Sequence, residues 1–530
     1  MDNYFVSSCK RVKDWICRQF GQKEKKTVHH KKFANGGEVI VWETGRAGEE
    51  AASYENLFLR KEIAGFRTNI RREQSCSIKS LTRDYLYKQL LSSGEYTFDH
   101  MLVIKDPYGE APLTALALFI LEEPARVRVT TKGNLEVTDF VTELPKKKEH
   151  RVPILGMYAE KANDIVIEIL DDEGNCVKSH TFTIRTKRLP KSLRNVITVK
   201  KWTDKPAYSN IMINGGVKIH TCVFDIEGKI RYYLSRKPRG YGIFPLSDGH
   251  FFYMEKYISV PSYSNPQTVE SYDMDYFGRV FRTYLTEKGV HHTAEEKAGG
   301  NILTGSNSML EHTEDCVIEI DRQTGEIVWQ LNMAEIFDET YQNMMDWCHV
   351  NSAAYYEKDR TILISLRNVH AVICVDYDTK KLRWILSDPK FWEGTKMTPY
   401  LLQPEGDVKW CYQQHAAFEI ALPDESNPQK KRIIVYDNHW AKRRKAKSFD
   451  KDPLSYVSFY DIDEEKKTVS LHKRFAGPKT RIRANGIYVP DKRRVYNMAG
   501  SYAEPVDGDG GGIFEYDYET GEVLSEFGVK

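Results

Sequence analysis

The sequence predicts an all-β fold: a six-bladed β-propeller, preceded by a β-sandwich domain and a helical N-terminal extension. Three observations predict it. Helical periodicity is confined to the first 95 residues, short runs of alternating hydrophobicity begin at Thr97, and one hairpin pattern recurs six times after Asn195. We therefore expect an extension at residues 1–95, a β-sandwich at 96–190 and a propeller at 195–530.

The extension is polar and contains the helix candidates GEEAASYENLFLRKEIAG and SLTRDYLYKQLLSS. Ahead of them, five apolar residues from Phe5 to Phe20 recur at helical spacing, which predicts an amphipathic helix. We expect that helix to dock on its own protein or on a second copy, forming a homodimer; a membrane surface is the alternative. Charges at Lys10, Arg11 and Lys13 interrupt the first residues, unlike a secretory signal, so the expected location is cytoplasmic.

Six short β-type runs follow the extension. Turn signals such as DPYGE and DDEGN separate them, and the segment ends in the linker KRLPKSL. This spacing is typical of a small β-sandwich. The runs are HMLVIKD, ALALFIL, ARVRVTT, RVPILGMYA, DIVIEIL and SHTFTIR.

The propeller prediction rests on a repeat of hydrophobic strand, aspartate, turn and second hydrophobic strand. The aspartates are Asp225, Asp275, Asp321, Asp376, Asp463 and Asp517, at intervals of 50, 46, 55, 87 and 54 residues. Such intervals fit four-stranded blades, whose small sheets must stack on one another to bury their faces. The longest interval contains an insertion, SDPKFWEGTKMTPYLLQPEGDVKWCYQQH, and long excursions in compact β folds are often functional.

The composition and the absent motifs limit the kinds of ligand that we expect. With 77 basic and 75 acidic residues the net charge is +2, so no global field attracts nucleic acid or an anionic membrane. No run of 18 apolar residues predicts a membrane span, and we expect a small-molecule ligand. The sequence has no phosphate-binding or dinucleotide motif and no CxxC pair among its nine cysteines, so no cofactor is predicted.

Polar residues stand at the starts of strands in three predicted blades. The innermost strands of a propeller line its axis, so equivalent positions on different blades converge, and we expect these residues to form one pocket. They are His291 and His292 in EKGVHHTAEE, His349 and Asn351 in DWCHVNSAAY, Arg367 on the following strand, and His415 in YQQHAAFEIALP.

Two chemistries suit such a pocket. Three neutral imidazoles are a ligand set for zinc that leaves one position open for water. Against a metal, a guanidinium would repel a dication, and we expect no Asp or Glu beside the histidines. Alternatively, the pocket binds an oxyanion through the planar fork of the arginine, with a histidine as nucleophile or general acid.

The same motifs resemble those of the bacterial aryl sulfotransferase family, which transfers a sulfuryl group from a phenolic sulfate ester to a phenol. The resemblance spans residues 96–530 and lies in DPYGEAPLTALALF, DWCHVNSAAYYEKDRTILISLRNVHAVICVD, LRWILSDPKFW, LLQP, QQHAAFEIALP and YDNHW. It implies that His415 is a nucleophile, transiently sulfurylated in a ping-pong mechanism that needs no nucleotide sulfate donor. It implies further that His349, Arg367 and one histidine of the pair, His292 ahead of His291, hold the sulfuryl oxygens. Asn351 matches an active-site amide, and no metal is implied.

Two positions depart from the family pattern. Gln413 stands where a glycine is usual, and Tyr456 stands where an arginine is frequent. A second hypothesis, from a different class, is a non-catalytic propeller that binds an anionic ligand or a protein partner in the same pocket. A metal-dependent hydrolase is the third.

Overall fold

A computed structural model describes residues 28–33, 37–43, 76–214, 219–236, 242–258, 267–308, 312–342, 344–421, 427–440 and 452–530. The chain divides into two compact units. Unit 1 comprises residues 1–189, 230–236 and 276–281, and unit 2 comprises 190–229, 237–275 and 282–530. Two predicted helices, between Phe5 and Phe20 and in GEEAASYENLFLRKEIAG, lie outside the described residues.

Unit 1 is built on one seven-stranded sheet and the helix α1 (Cys76–Ser92), which contains most of the predicted segment SLTRDYLYKQLLSS. Within the described residues, no helix has the length and apolar character needed to cross a membrane. The strands are β1 (Val28–Lys32), β2 (Glu38–Trp42), β3 (His100–Lys105), β4 (Ala115–Thr131), β5 (Phe140–Ile154), β6 (Ala162–Leu170) and β7 (Cys176–Arg185).

The extension is not wholly helical, and the prediction is wrong for two of its segments. β1 and β2 pair antiparallel, and β2 runs parallel to β3, so both strands join the sheet of the following domain. The reason is visible in EVIVW, where Val39 and Val41 are buried and Ile40 between them is half-buried. That alternation has period two, and β-branched residues favour strands.

The predicted runs ALALFIL and ARVRVTT form one continuous strand, β4, of 17 residues. A register shift between Ile120 and Ala125 divides β4 into two halves. The first half pairs with β3 and the second with β6, while β5 accompanies both. The shift changes the direction of β4 at the point where its pairing passes from β3 to β6.

The described residues from 195 onward form 24 strands, with 3₁₀ helices in several of the connections between them. The strands are β8 (Ile197–Lys201), β9 (Asn210–Ile213), β10 (Cys222–Asp225), β11 (Ile230–Tyr233), β12 (Gly242–Pro245), β13 (Phe251–Ile258), β14 (Gln267–Met274), β15 (Val280–Glu296), β16 (Ile302–Ser306), β17 (Cys316–Ile320), β18 (Ile327–Asn332), β19 (Val350–Tyr356), β20 (Thr361–Leu366), β21 (Ala371–Asp376), β22 (Leu382–Leu386), β23 (Gln403–Pro404), β24 (His415–Ile420), β25 (Lys430–Asp437), β26 (Leu454–Asp463), β27 (Thr468–Pro478), β28 (Ala484–Val489), β29 (Arg494–Ala499), β30 (Gly511–Asp517) and β31 (Val523–Val529).

The recurring aspartates close the outer hairpins of these sheets. Asp376 ends β21, and its carboxylate accepts a hydrogen bond from the backbone N–H of Thr379 at 2.8 Å. Asp517 ends β30 and accepts in the same way from the N–H of Glu519 at 3.0 Å. An aspartate that bonds the backbone two or three residues ahead stabilises a tight turn, which explains why the residue repeats.

The sheets have the arrangement expected of propeller blades. β19 to β22 form a four-stranded antiparallel sheet, and β24 to β27 and β28 to β31 form two more, each with one added strand. β12 to β18 form one continuous seven-stranded sheet through the long β15. Since that sheet takes the place of two separate blades, the count of six stays a prediction.

Chain closure and the long insertion both involve these sheets. β8, at the start of the region, pairs antiparallel with β31 at its end, which ties the last sheet to the first residues of the propeller. The insertion after β22 is not a solvated loop. Its Trp392, Met397 and Leu401 are buried in a core cluster with residues of β19 to β21.

We expect Trp392→Ala to destabilise unit 2 by about 3–5 kcal/mol, because it removes a large buried ring from a close-packed core. Trp392 is 1% exposed and lies 5.4 Å from the Tyr341 ring, measured between centroids. The measurement is the shift in the urea unfolding transition. Leu285→Ala is the control, because Leu285 is 77% exposed and its removal should change stability by less than about 0.5 kcal/mol. Equal shifts for the two variants would contradict a structural role for the insertion.

Candidate active site

The hairpin of β19 and β20 brings two of the predicted site residues, His349 and Arg367, to neighbouring positions. His349 directly precedes β19, and Arg367 directly follows β20. The backbone N–H of Arg367 donates to the carbonyl of His349 at 3.1 Å, so the two side chains leave neighbouring points of the backbone. The sequence prediction that this hairpin returns Arg367 towards His349 therefore matches the geometry.

Asn351 is buried on β19, where it bonds to the backbone next to His415. Its Nδ2 donates to the carbonyl of Gln414 at 2.8 Å. Gln414 is itself buried, and its Nε2 donates to the carbonyl of Ala371 at 2.7 Å and to that of Leu366 at 3.2 Å. These bonds from β19 and the β20–β21 turn fix the residue before His415.

His415 begins β24, and its ring has a defined orientation. Its Nδ1 lies 2.6 Å from Oδ1 of Asn438, which follows β25. Because an amide oxygen only accepts, Nδ1 carries the proton and Nε2 carries the lone pair. Asn438 is held in turn by its Nδ2, which donates to Thr480 Oγ1 at 3.0 Å. The ring therefore presents an unprotonated nitrogen in a fixed direction.

Gln413, which stands where the family usually has a glycine, is in a strained conformation. Gln413 has φ of 50°, in the left-handed region that favours glycine. Its backbone N–H donates to Nδ1 of His370 at 3.1 Å, and its side chain is buried. The position thus keeps the backbone shape that a glycine adopts freely, and the contact to His370 helps to hold it.

The two adjacent histidines of β15 have different surroundings. His291 is buried, and its Nε2 donates to the carbonyl of Ser306 at 2.8 Å. His292 packs against His349, with ring centroids 4.7 Å apart, and its Nδ1 lies 3.2 Å from Nδ1 of His291. Between the two, His292 is therefore the one in direct contact with His349.

Two buried carboxylates accompany the histidines, and the expectation that no acidic residue does so is wrong. Glu314 Oε2 lies 2.6 Å from Nδ1 of His349, and Glu314 Oε1 lies 3.7 Å from Nδ1 of His292. Both oxygens of Asp346 lie 3.0 Å from Nδ1 of His349. The sequence analysis did not identify Glu314 as a site residue, because Glu314 lies in the loop before β17, 35 residues from His349. Asp346 was easier to identify from the sequence, because it lies only three residues before His349 in DWCH.

Charge is distributed unevenly among the imidazoles. Burial by itself would lower the pKa of His349, but Glu314 and Asp346 outweigh burial and raise it to about 9. Burial lowers the pKa of His415 to about 3, and the positive charge of Arg367 adds to this effect. Burial also holds the pKa of His292 well below its usual value. At neutral pH the pocket therefore contains a neutral His415 among an imidazolium and a guanidinium.

Tyr456, which stands where the family frequently has an arginine, lies beside the guanidinium of an arginine on the neighbouring strand. Arg474 of β27 places its guanidinium carbon 3.5 Å from the centre of the Tyr456 ring. Its Nη2 also lies 3.1 Å from Oδ2 of the buried Asp437, the residue before Asn438. A cation is therefore present at Tyr456, stacked on the ring and paired with an acid.

These features define a class of protein: a β-propeller in which residues of several sheets converge on a neutral, directed histidine flanked by cationic groups. Such a site is suited to attack on an anionic centre. The prediction that all of its residues stand at strand starts is wrong for His291 and His292, which lie within the long β15. The sequence model described as arylsulfotransferase (ASST) matches residues 195–530, and the model described as the arylsulfotransferase Ig-like domain matches residues 102–187. The chain belongs to the arylsulfotransferase family.

Curated relatives agree with this assignment. The arylsulfate sulfotransferase AssT of Escherichia coli O6:H1 is 23% identical, over 81% of this chain and 90% of its own length. AssT of Lelliottia amnigena is 22% identical over the same shares of the two chains. Among solved structures, an auxiliary nutrient binding protein from Bacteroides ovatus aligns with 79% of this chain and 94% of its own at 10% identity. Its TM-score is 0.34, too low to bear on function.

We expect His415 to stay neutral, with its proton on Nδ1, from pH 8 down to pH 5. Its pKa of about 3 lies below the ordinary value near 6.5, so acid must go much lower before the ring is protonated. At pH 5 an ordinary histidine is about 97% protonated, whereas His415 should be about 1% protonated. Long-range ¹H–¹⁵N spectra of protein labelled at histidine measure this state.

The control for that measurement is Asn438→Ala, which removes the acceptor at Nδ1 and should weaken the tautomer preference of His415. Assignment of the signal comes from its absence in His415→Gln. A titration midpoint near pH 6.5 for His415 in the parent protein would contradict the neutral, directed state.

Proposed function

We propose that the protein transfers a sulfuryl group from a phenolic sulfate ester to a phenol through a sulfated His415, without a nucleotide sulfate donor. The observation that carries the proposal is the 2.6 Å bond between His415 Nδ1 and Asn438 Oδ1, because it leaves Nε2 free to attack. Family membership and the names of the AssT relatives support the substrate class.

In the first half-reaction, Nε2 of His415 attacks the sulfur of the donor ester. The N–S bond forms as the S–O bond to the aryl group breaks, and the electron pair of that bond leaves with the phenolate, which then takes up a proton. A neutral imidazole is required at this step, since an imidazolium has no lone pair. The burial that lowers the pKa of His415 therefore supports its role as nucleophile.

In the second half-reaction, the oxygen of an acceptor phenol attacks the same sulfur and loses its proton. The N–S bond breaks and its electron pair returns to Nε2, which restores His415. Dividing the transfer into two displacements at one histidine lets donor and acceptor use the pocket in turn, so the kinetics are ping-pong.

The cationic groups beside His415 would stabilise the charge that spreads over the three sulfuryl oxygens. Arg367 presents a planar set of donors that suits such oxygens. The cationic His349 turns Nδ1 towards Glu314, so the geometry of the imidazole ring directs its Nε2 away from that acid. The neutral His292 turns Nδ1 the same way. Donors that are already oriented in a buried site need no rearrangement as the charge develops, which is the source of the rate enhancement.

We expect the intact protein to gain one labile SO3 when it is mixed with an aromatic sulfate ester in the absence of an acceptor. His415→Ala should gain none, because it lacks the attacking nitrogen. The measurement is intact-protein mass spectrometry, followed by addition of a phenol, which should discharge the group. His472→Ala, at a partly exposed histidine outside the pocket, should be sulfated like the parent protein.

Persistence of the SO3 gain in His415→Ala would overturn the assignment of the nucleophile. Continued release of phenol beyond one equivalent per chain, without any acceptor, would identify a hydrolase in place of a transferase. If no ester reacts while anions raise the melting temperature, the pocket binds anions without catalysis.

We expect Arg367→Lys to lower kcat/KM for the aromatic sulfate by about 100-fold, although the positive charge is kept. Lysine cannot reproduce the planar fork of donors, and removal of one preorganised donor typically costs 10²–10³ in rate. Steady-state kinetics with a chromogenic aryl sulfate measure the change. Arg383→Lys on β22, a partly exposed residue paired with Glu464 at 3.5 Å, is the matched control and should change kcat/KM by less than about twofold. An Arg367→Lys variant as active as this control would remove Arg367 from the mechanism.

A further inference from the structure

The Nδ1 sides of three histidines converge on the two buried carboxylates. Nδ1 of His349 lies 2.6 Å from Glu314 and 3.0 Å from Asp346. Nδ1 of His292 lies 3.7 Å from Glu314 and 3.2 Å from Nδ1 of His291. Two sets of three, His291 with His292 and Glu314, and Glu314 with Asp346 and His349, each have all donor atoms within 4.8 Å of one another. Glu314 belongs to both sets.

Two of these separations, 3.0 and 3.2 Å, are those of neighbouring ligand atoms around a metal ion, whereas the 2.6 Å separation is shorter and the 3.7 Å separation is longer. With metal–nitrogen and metal–oxygen bonds of about 2.1 Å, neighbouring ligands stand about 3.0 Å apart in an octahedron and about 3.4 Å apart in a tetrahedron. Imidazole nitrogens together with carboxylate oxygens suit divalent transition-metal ions. Each set of three therefore has the donor types that suit such an ion, its donor atoms lie within 4.8 Å of one another, and Glu314 is common to both sets.

The contacts behind the donors also fit a metal site. His291 donates its Nε2 proton to the carbonyl of Ser306, which leaves the lone pair on Nδ1 and directs it towards Glu314 and His292. A histidine ligand is usually fixed in this way, through a bond from its other nitrogen to a backbone carbonyl. The neighbouring Asp315 is engaged elsewhere, since its carboxylate accepts from the N–H and hydroxyl of Ser308 at 2.7 and 2.6 Å.

The backbone holds three of the donors in an unfavourable conformation. His292, Glu314 and His349 have φ of 59°, 56° and 56°, in the left-handed region that side chains other than glycine rarely adopt. Such a residue costs about 1–3 kcal/mol and persists where the surrounding structure requires it, typically at functional sites. Here it turns three side chains from separate strands and loops towards one point.

We propose that Glu314, Asp346, His349, His292 and His291 bind one divalent transition-metal ion per chain. The ion replaces the proton between His349 and the two acids, so binding releases that proton. It lies on the Nδ1 side of His292 and His349 and strengthens their Nε2–H groups as donors. This inference does not depend on His415 as nucleophile. It also departs from the expectation of a metal-free site, which assumed that no acid accompanied the histidines.

The test is to strip the purified full-length protein with a chelator, add Zn²⁺ or Co²⁺, and measure the bound metal after gel filtration. We expect one ion per chain by mass spectrometric elemental analysis, and with Co²⁺ a visible absorption band that reports nitrogen and oxygen ligands. Glu314→Gln should bind at least tenfold more weakly, because it removes the ligand shared by both sets of donors. Neither readout depends on activity.

Two controls separate this site from the proposed reaction and from general loss of buried acids. His415→Gln should keep the ion while losing sulfation, and Glu319→Gln, a buried acid of β17 paired with Lys297 at 2.6 Å, should keep it too. A parent protein that binds no ion would overturn the proposal, even if Glu314→Gln failed to fold. So would a folded Glu314→Gln that binds the ion as tightly as the parent.

Discussion

The hydrogen bond from His415 Nδ1 to Asn438 Oδ1 is the interaction on which the chemistry of the pocket depends, because it decides which ring nitrogen has the lone pair. It is anchored on both sides. Asn438 is held by Thr480, and the residue before His415 is held by Asn351 and by carbonyls of the β20–β21 turn. The anchors come from β19, from the β20–β21 turn and from the segment that follows β27, so the orientation of one imidazole requires that several sheets pack in register.

The pocket separates its charges by burial and by position. Glu314 and Asp346 lie on the Nδ1 side of His349 and keep it cationic, whereas His415 lies near Arg367 and stays neutral. An imidazole of ordinary pKa would be divided between its two forms near neutral pH. Placing acids beside one histidine and a guanidinium near another moves their pKa values apart, which suits the two imidazoles to the donor and nucleophile roles that we propose for them.

The sequence predicts the strands better than the contacts between them. Repeating aspartates at Asp376 and Asp517 predicted hairpins correctly, because an Asx turn is local and depends on a few consecutive residues. His349 and Arg367 were predicted as neighbours for the same reason, since one hairpin joins them. Glu314 was missed, because its contact with His349 arises from packing between sheets. β2 was missed because its partner, β3, is distant in sequence, and β1 was missed with it because β1 pairs with β2.

One local feature accounts for the convergence of site residues from three sheets. The register shifts at His291/Ala294 in β15, at Val350/Ser352 in β19 and at His415/Phe418 in β24 all occur where the predicted histidines lie. A bulge inserts an unpaired residue and turns a side chain out of the pleat. Of the sixteen non-glycine residues with positive φ in the described structure, seven belong to this region: His292, Glu314, His349, His370, Gln413, Ala416 and His439. Regular hydrogen-bonded strand pairing on either side of each bulge stabilises the sheet, and this stability keeps the residues with positive φ in their unfavourable conformations.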